Sequence, residues 1–84
     1  MKVKATAHIK SDRSEFRMEV WDADHMGDGS GLSVDLRMQL KERGYVDTGN
    51  CVTGMRLTAP ANKAKEEAGW LATQGIGFQA GHTY

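Results

Sequence analysis

An acidic segment broken by glycines, DADHMGDGSG at residues 22–31, separates two hydrophobic patterns and so sets the order of elements along the chain. Its three glycines predict a loop, because glycine adopts backbone angles that other residues avoid. Apolar and polar side chains alternate before it, whereas residues 36–43 after it are almost all good helix formers and are followed by Gly44, a common helix stop. We therefore expect a strand, a loop and then a central helix that begins at a cap provided by Ser30 or Ser33.

Residues 2–21 predict a β-hairpin. Apolar and polar side chains alternate over residues 2–10 and again over residues 15–21, and the polar link at residues 11–14 is short. Antiparallel pairing sets lysines beside glutamates on the polar face, where opposite charges across strands contribute roughly 0.2 to 1 kcal/mol per pair. We interpret that face as solvated, with a basic strip that binds phosphate as the alternative. The strip would consist of Lys2, Lys4, Lys10 and Arg17.

The central helix has apolar residues on two sides. Leu32, Leu36 and Leu40 form one stripe, and Val34 and Met38 form a second stripe roughly 160° away around the helix. The same residues also alternate like a strand, but the helix formers and the glycine stop favour a helix. One interpretation buries both stripes, against the sheet and against a second helix. The other leaves Val34 and Met38 exposed for a partner protein or a second copy, since methionine suits adaptable contacts.

The sequence after the central helix predicts one further strand and a second helix. Turn residues at 47–50 precede an alternating run at residues 51–57, which Gly54 weakens. The second helix is expected to be capped by Thr58, to hold Pro60 in its first turn and to run through residue 74.

An alanine-rich face of this second helix is expected to point inward. Its residues are Ala61, Ala64, Ala68, Leu71 and Ala72. Lys63 and Glu67, four residues apart, are expected to pair on the outer face. Residues 75–84 have strand spacing but contain three glycines, so they form either a short edge strand or a loosely held end. The predicted fold is α+β: a single domain over residues 1–84 with a small antiparallel sheet of three to four strands (ββαβα, possibly a final edge strand) and two helices packed on one face.

Composition narrows the classes of function. The 11 basic and 11 acidic side chains cancel, which removes the charge surplus that a sequence-independent grip on nucleic acid or an anionic membrane needs. The single cysteine, Cys51, cannot form an intrachain disulfide, and no apolar run approaches the roughly 20 residues of a membrane helix, so we expect a cytoplasmic protein. A chain of 84 residues has a thin core, and its cysteine and three histidines form no triad pattern. We therefore expect a protein that is not an enzyme and uses no cofactor.

The acidic loop is the strongest candidate for a cation site, because three carboxylates and an imidazole lie within seven residues. These are Asp22, Asp24, His25 and Asp28. An EF-hand register counted from Asp22 is incomplete, since Met26 and Ser33 occupy two ligand places. A generic divalent-metal site is therefore an alternative to a solvated acidic turn that caps the helix.

The segment LKERGYVDTGNCVTGMRLT resembles the end of a winged-helix domain, in which a recognition helix is followed by a glycine-closed turn, a two-stranded wing and another helix. The resemblance covers residues 36–71, under half of the chain. It implies that Arg37, Lys41 and Arg43 face the groove of a nucleic acid and that Arg56 contacts its backbone.

Our leading hypothesis is a non-enzymatic module that binds another protein, as small regulators, assembly factors and virus-encoded inhibitors do. An acidic rim around aromatic and thioether anchors would steer the chain toward a basic surface and then hold it. A homodimer through the same apolar stripe is a further option, and no membrane partner is expected. The residues of this surface are Trp21, Asp22, Asp24, Met26, Asp28, Val34, Asp35 and Met38.

Overall fold

The amino-terminal hairpin forms the middle of a sheet in the computed structural model, which describes residues 3–22, 32–48 and 54–84. Strand β1 (Val3–Ile9) pairs antiparallel with β2 (Glu15–Asp22) in the register that their alternation predicts. In the connecting turn, the amide and the hydroxyl of Ser14 both donate to Asp12 Oδ1, at 2.9 and 2.6 Å. This local bonding lets the chain reverse over a polar link.

Three further strands extend the hairpin on both sides. They are β3 (Val46–Asp47), β4 (Gly54–Pro60) and β5 (Gly77–Thr83), and the sheet order is β3-β4-β2-β1-β5. Strand β5 runs parallel to β1, while the other pairs are antiparallel. The α+β class and the optional final edge strand are thus confirmed, but the described residues form five strands instead of three to four, and the sheet is mixed instead of purely antiparallel.

Strand β4 corrects the predicted start of the second helix. Thr58 and Pro60, expected as its cap and first turn, lie in β4 opposite Arg17 and Glu15. Pairing with β2 keeps this segment extended, and Pro60 ends the strand, where its missing N–H disturbs the ladder least. The predicted third strand at residues 51–57 overlaps β4 from Gly54, and its residues 51–53 lie outside the described ranges.

The central helix, α1 (Val34–Glu42), forms as predicted. Ser33 is its N-cap, and the Ser33 hydroxyl accepts from the amide of Leu36 at 3.2 Å. Gly44 follows the helix with φ 99°, the left-handed conformation that glycine tolerates best.

The second helix, α2 (Ala64–Thr73), follows a short 3₁₀ turn at Ala61–Lys63. Its buried residues are Glu67 and Leu71, while Ala72 is exposed. The predicted outward pair of Lys63 with Glu67 is wrong: Lys63 pairs with Glu66 at 3.6 Å. Glu67 turns inward instead, because it has buried partners from another part of the chain.

The core lies between the sheet and the two helices. Alternate residues of β2 point into it, and they meet Leu40 of α1 and Leu71 of α2 in one cluster. Both helices therefore pack on one face of the sheet, as predicted, and the other face carries the polar side chains of the alternating strands. The buried apolar residues are Ala5, Ala7, Phe16, Met18, Val20, Leu32, Leu40, Tyr45, Met55, Leu71 and Ile76. Among the described helices, none is both long and apolar enough to cross a membrane.

Candidate functional site

The outer side of α1 carries two exposed apolar side chains. Val34 is 72% and Met38 57% exposed, whereas Leu40 on the inner side is fully buried and Leu36 packs against the core. The second helix does not cover the outer stripe, because Leu71 of α2 packs into the same cluster as Leu40 on the inner side. Of the two interpretations of the stripe, the structure shows the one in which Val34 and Met38 are exposed.

The predicted binding surface is only partly assembled. Trp21 lies on the open face of the sheet, where its indole N–H donates to Thr6 Oγ1 at 3.3 Å. Asp22, its neighbour on the strand, lies on the helix-covered face and is only 1% exposed. Consecutive strand residues point to opposite faces, so these two cannot join one surface.

Of the remaining predicted residues, Asp35 is exposed in the first turn of α1 beside Val34 and Met38. Asp24, Met26 and Asp28 lie outside the described ranges. Of the predicted surface residues that the structure describes, Val34, Asp35 and Met38 are therefore the ones exposed together on α1.

The predicted cation site is represented in the described ranges by Asp22 alone, since Asp24, His25 and Asp28 lie outside them. No group of three or more histidine, cysteine, aspartate or glutamate side chains in residues 3–22, 32–48 and 54–84 is arranged to hold a metal ion. The metal site stays a prediction.

The four basic residues that the winged-helix resemblance assigns to nucleic-acid contacts lie on different parts of the molecule. Arg43 is held by Glu67 and lies 4.4 Å from the centre of the Trp70 ring, so its guanidinium serves the packing of α2. Arg37 lies 3.5 Å from Asp47, and Lys41 is exposed. Arg56 lies on the open face of the sheet, opposite the helices. No single basic surface is formed by Arg37, Lys41, Arg43 and Arg56.

The open face of the sheet carries a polar network that sequence reasoning treated as a solvated surface. Glu19 accepts from Arg56 Nε at 3.2 Å, and its second oxygen lies 3.8 Å from His8 Nε2. Glu15 lies 3.9 Å from Lys10 and accepts from the Tyr84 hydroxyl at 3.3 Å. Each glutamate therefore interacts with two neighbouring side chains.

The carboxyl-terminal strand completes this face. The Gln79 amide donates to Thr6 Oγ1 at 3.3 Å, and the backbone amide of His82 donates to His8 Nδ1 at 3.0 Å. The rings of His8 and His82 stack, with their centres 5.9 Å apart. Alternation in β1 and β2 predicted which of their residues face outward, but no local signal shows that β5 lies beside β1.

Arg17 differs from Lys10 and Arg56, which are paired with glutamates on this face. Its guanidinium lies 4.3 Å from the centre of the Tyr84 ring, and its buried Nε has no hydrogen-bond partner within the described residues. Burial first, and then Glu15, raises the pKa of Tyr84, so its hydroxyl stays protonated as the donor to Glu15. The ring beneath Arg17 thus remains uncharged at neutral pH.

Comparison with known proteins finds no family model, no curated protein and no solved structure that matches this chain.

Proposed function

We propose that this chain is a protein-binding module without catalytic activity, which docks through the outer side of α1. The observation that carries the proposal is the exposure of Val34 and Met38, at 72% and 57%, on a helix whose other side packs on the core through Leu40 and Leu36. Two apolar side chains one turn apart form a continuous strip, as in helices that lie in a groove of a partner. Methionine adds a flexible contact that adapts to the shape of that groove.

The partner we propose is a protein with an apolar groove bordered by basic residues. Residues 23–35, which lead into and begin α1, contain three aspartates and no lysine or arginine. An acidic approach of this kind favours a positively charged rim and disfavours an acidic one. The classes of protein that we propose for this chain are small regulators, assembly factors and virus-encoded inhibitors. A cytoplasmic location is part of the same proposal.

The test is a capture experiment followed by a measured affinity. Purified wild-type protein is immobilised beside a blank surface, and a protein that it captures specifically is purified. The affinity of that protein for the wild type and for the double variant Val34→Ser/Met38→Gln is then measured by calorimetry. We expect the double variant to bind that protein at least about tenfold more weakly, because central apolar anchors each contribute about 1 kcal/mol or more.

The matched control is Ile9→Ser, which removes an apolar side chain that is 51% exposed at the end of β1. It is expected to bind like the wild type. Equal affinity of the wild type and the double variant would refute docking through α1. A concentration-dependent doubling of mass that Val34→Ser/Met38→Gln abolishes would replace the foreign partner with a second copy of the chain.

A further inference from the structure

We infer that the open face of the sheet holds an anion site centred on Arg17, which takes a phosphate group. This site lies on the opposite side of the sheet from α1 and is independent of the proposed docking surface. The open face carries more cations than carboxylates. Its described strand residues and the adjoining Lys10 give four cations and two carboxylates: Lys4, Lys10, Arg17 and Arg56 against Glu15 and Glu19.

Each of the two glutamates is paired with another cation, Glu15 with Lys10 and Glu19 with Arg56. Glu19 also lies 3.8 Å from His8 Nε2. Arg17 forms no ion pair in the described part of the chain, although it sits between these two glutamates along β2. A cation whose neighbouring carboxylates are already paired with other cations is available to bind an external anion.

The guanidinium of Arg17 is also held in place. Tyr84 lies under it at 4.3 Å, and Tyr84 is itself fixed to the sheet by a hydrogen bond from its amide to Ile9 O at 2.9 Å. An arginine that stacks on an aromatic ring keeps its plane and loses less freedom when it binds a ligand. The Nε–H is buried without an acceptor among the described residues, so a shift of the guanidinium that brings this N–H to a bound anion is favoured.

The residues beside Arg17 suit a phosphate better than a carboxylate. The cross-strand neighbours of Arg17 are His8 and Thr58, and the Thr58 side chain is exposed with a hydroxyl that can donate. An excess of two positive charges on this face matches a doubly charged phosphate. The planar fork of arginine fits two phosphate oxygens at once.

The test is a titration of isotope-labelled protein followed by nuclear magnetic resonance. Inorganic phosphate, adenosine monophosphate and a short single-stranded oligothymidylate are added separately, against chloride at equal ionic strength. We expect a saturable change of the Arg17 Nε–H signal and of the Thr58 and Tyr84 amides. Equal affinities for the three probes indicate free phosphate as the ligand, while a much tighter oligonucleotide indicates the backbone of a single-stranded nucleic acid.

Three variants locate the site. Arg17→Gln is expected to weaken binding at least about tenfold, since it removes a charged hydrogen-bonding group. Arg17→Lys is expected to weaken it as well, because an ammonium keeps the charge but has no planar fork. Arg13→Gln, which removes an equal charge from the exposed hairpin turn, is expected to leave binding unchanged.

The inference is overturned if phosphate produces no saturable change at Arg17 in the wild-type protein, a result that needs no variant to fold. It is also overturned if Arg17→Gln and Arg13→Gln reduce the affinity equally, because binding would then follow overall charge. Amide spectra of the variants show whether they retain the fold, and Arg17→Lys keeps the comparison available if Arg17→Gln does not.

Discussion

Glu67 of α2 is joined to the segment that follows α1 through one carboxylate. It accepts from Arg43 Nε at 3.1 Å, from Arg43 Nη2 at 2.7 Å and from the Tyr45 hydroxyl at 3.2 Å. Burial, and then the nearby carboxylate, raises the pKa of Tyr45, which keeps the phenol neutral and able to donate. We expect Glu67→Gln to lower the free energy of unfolding by about 1 to 3 kcal/mol, measured by urea denaturation, because the half-buried Arg43 keeps its charge and loses its carboxylate partner.

The matched control is Glu66→Gln on the same turn of α2. Glu66 faces solvent and pairs with Lys63 at 3.6 Å, an exposed pair that contributes at most about 1 kcal/mol. Similar urea midpoints for the two variants would contradict a structural role for Glu67. Spacing along α2 cannot distinguish the two glutamates, since the residue that decides between them, Arg43, lies 24 positions away in sequence.

Strand β5 depends on contacts that span almost the whole chain. The amide of Ser11 donates to Tyr84 O at 2.6 Å, and Tyr84 donates back to Ile9 O at 2.9 Å. Near this end, the strand passes so close to β1 that a Cβ on Gly81 would lie 2.5 Å from His8 Nδ1 and 2.7 Å from Ala7 O. A side chain at Gly81 therefore forces the two strands apart.

We expect Gly81→Ala to lower the free energy of unfolding by about 1 to 3 kcal/mol, as overpacking does, and to speed amide exchange at the end of β5. Gly69→Ala in α2 is the control, because its new Cβ meets nothing within 4 Å. That variant is expected to raise stability by up to about 1 kcal/mol, the difference in helix propensity. Unchanged exchange in Gly81→Ala would mean that β5 is not held against β1.

Elements with a strong local signal were predicted, and those defined by distant partners were not. The hairpin and α1 follow from alternation, from the Ser33 cap and from the Gly44 stop, which act over a few residues. Strand β3 has only two residues, too few for any period to show. The extension of β4 to Pro60 is decided by pairing with β2, and tertiary pairing overrides a helix-start pattern.

At the scale of the whole molecule, a net charge of zero hides an uneven distribution. The open face of the sheet has more cations than acids, while residues 23–35 have aspartates and no lysine or arginine. The proposed docking helix and the proposed phosphate site thus differ in the sign of charge around them. The sequence predicted the acidic region and gave the basic strip of this face only as an alternative to a solvated surface, because Tyr84 and His82 reach that face only through the fold.

This separation predicts how charge affects association with the protein partner of α1. Asp28→Asn/Asp35→Asn is expected to slow association several-fold at low ionic strength and to leave dissociation nearly unchanged, since steering acts on the encounter. The difference is expected to shrink above roughly 0.1 M salt, where the screening length falls to about 10 Å. Asp12→Asn/Glu66→Gln makes the same change in net charge at exposed positions elsewhere and is expected to slow association less. Association rates of the two double variants are measured by stopped flow or on a binding surface. Equal slowing by both variants would assign the effect to total charge. If neither variant slows association, electrostatic steering is not part of the docking mechanism.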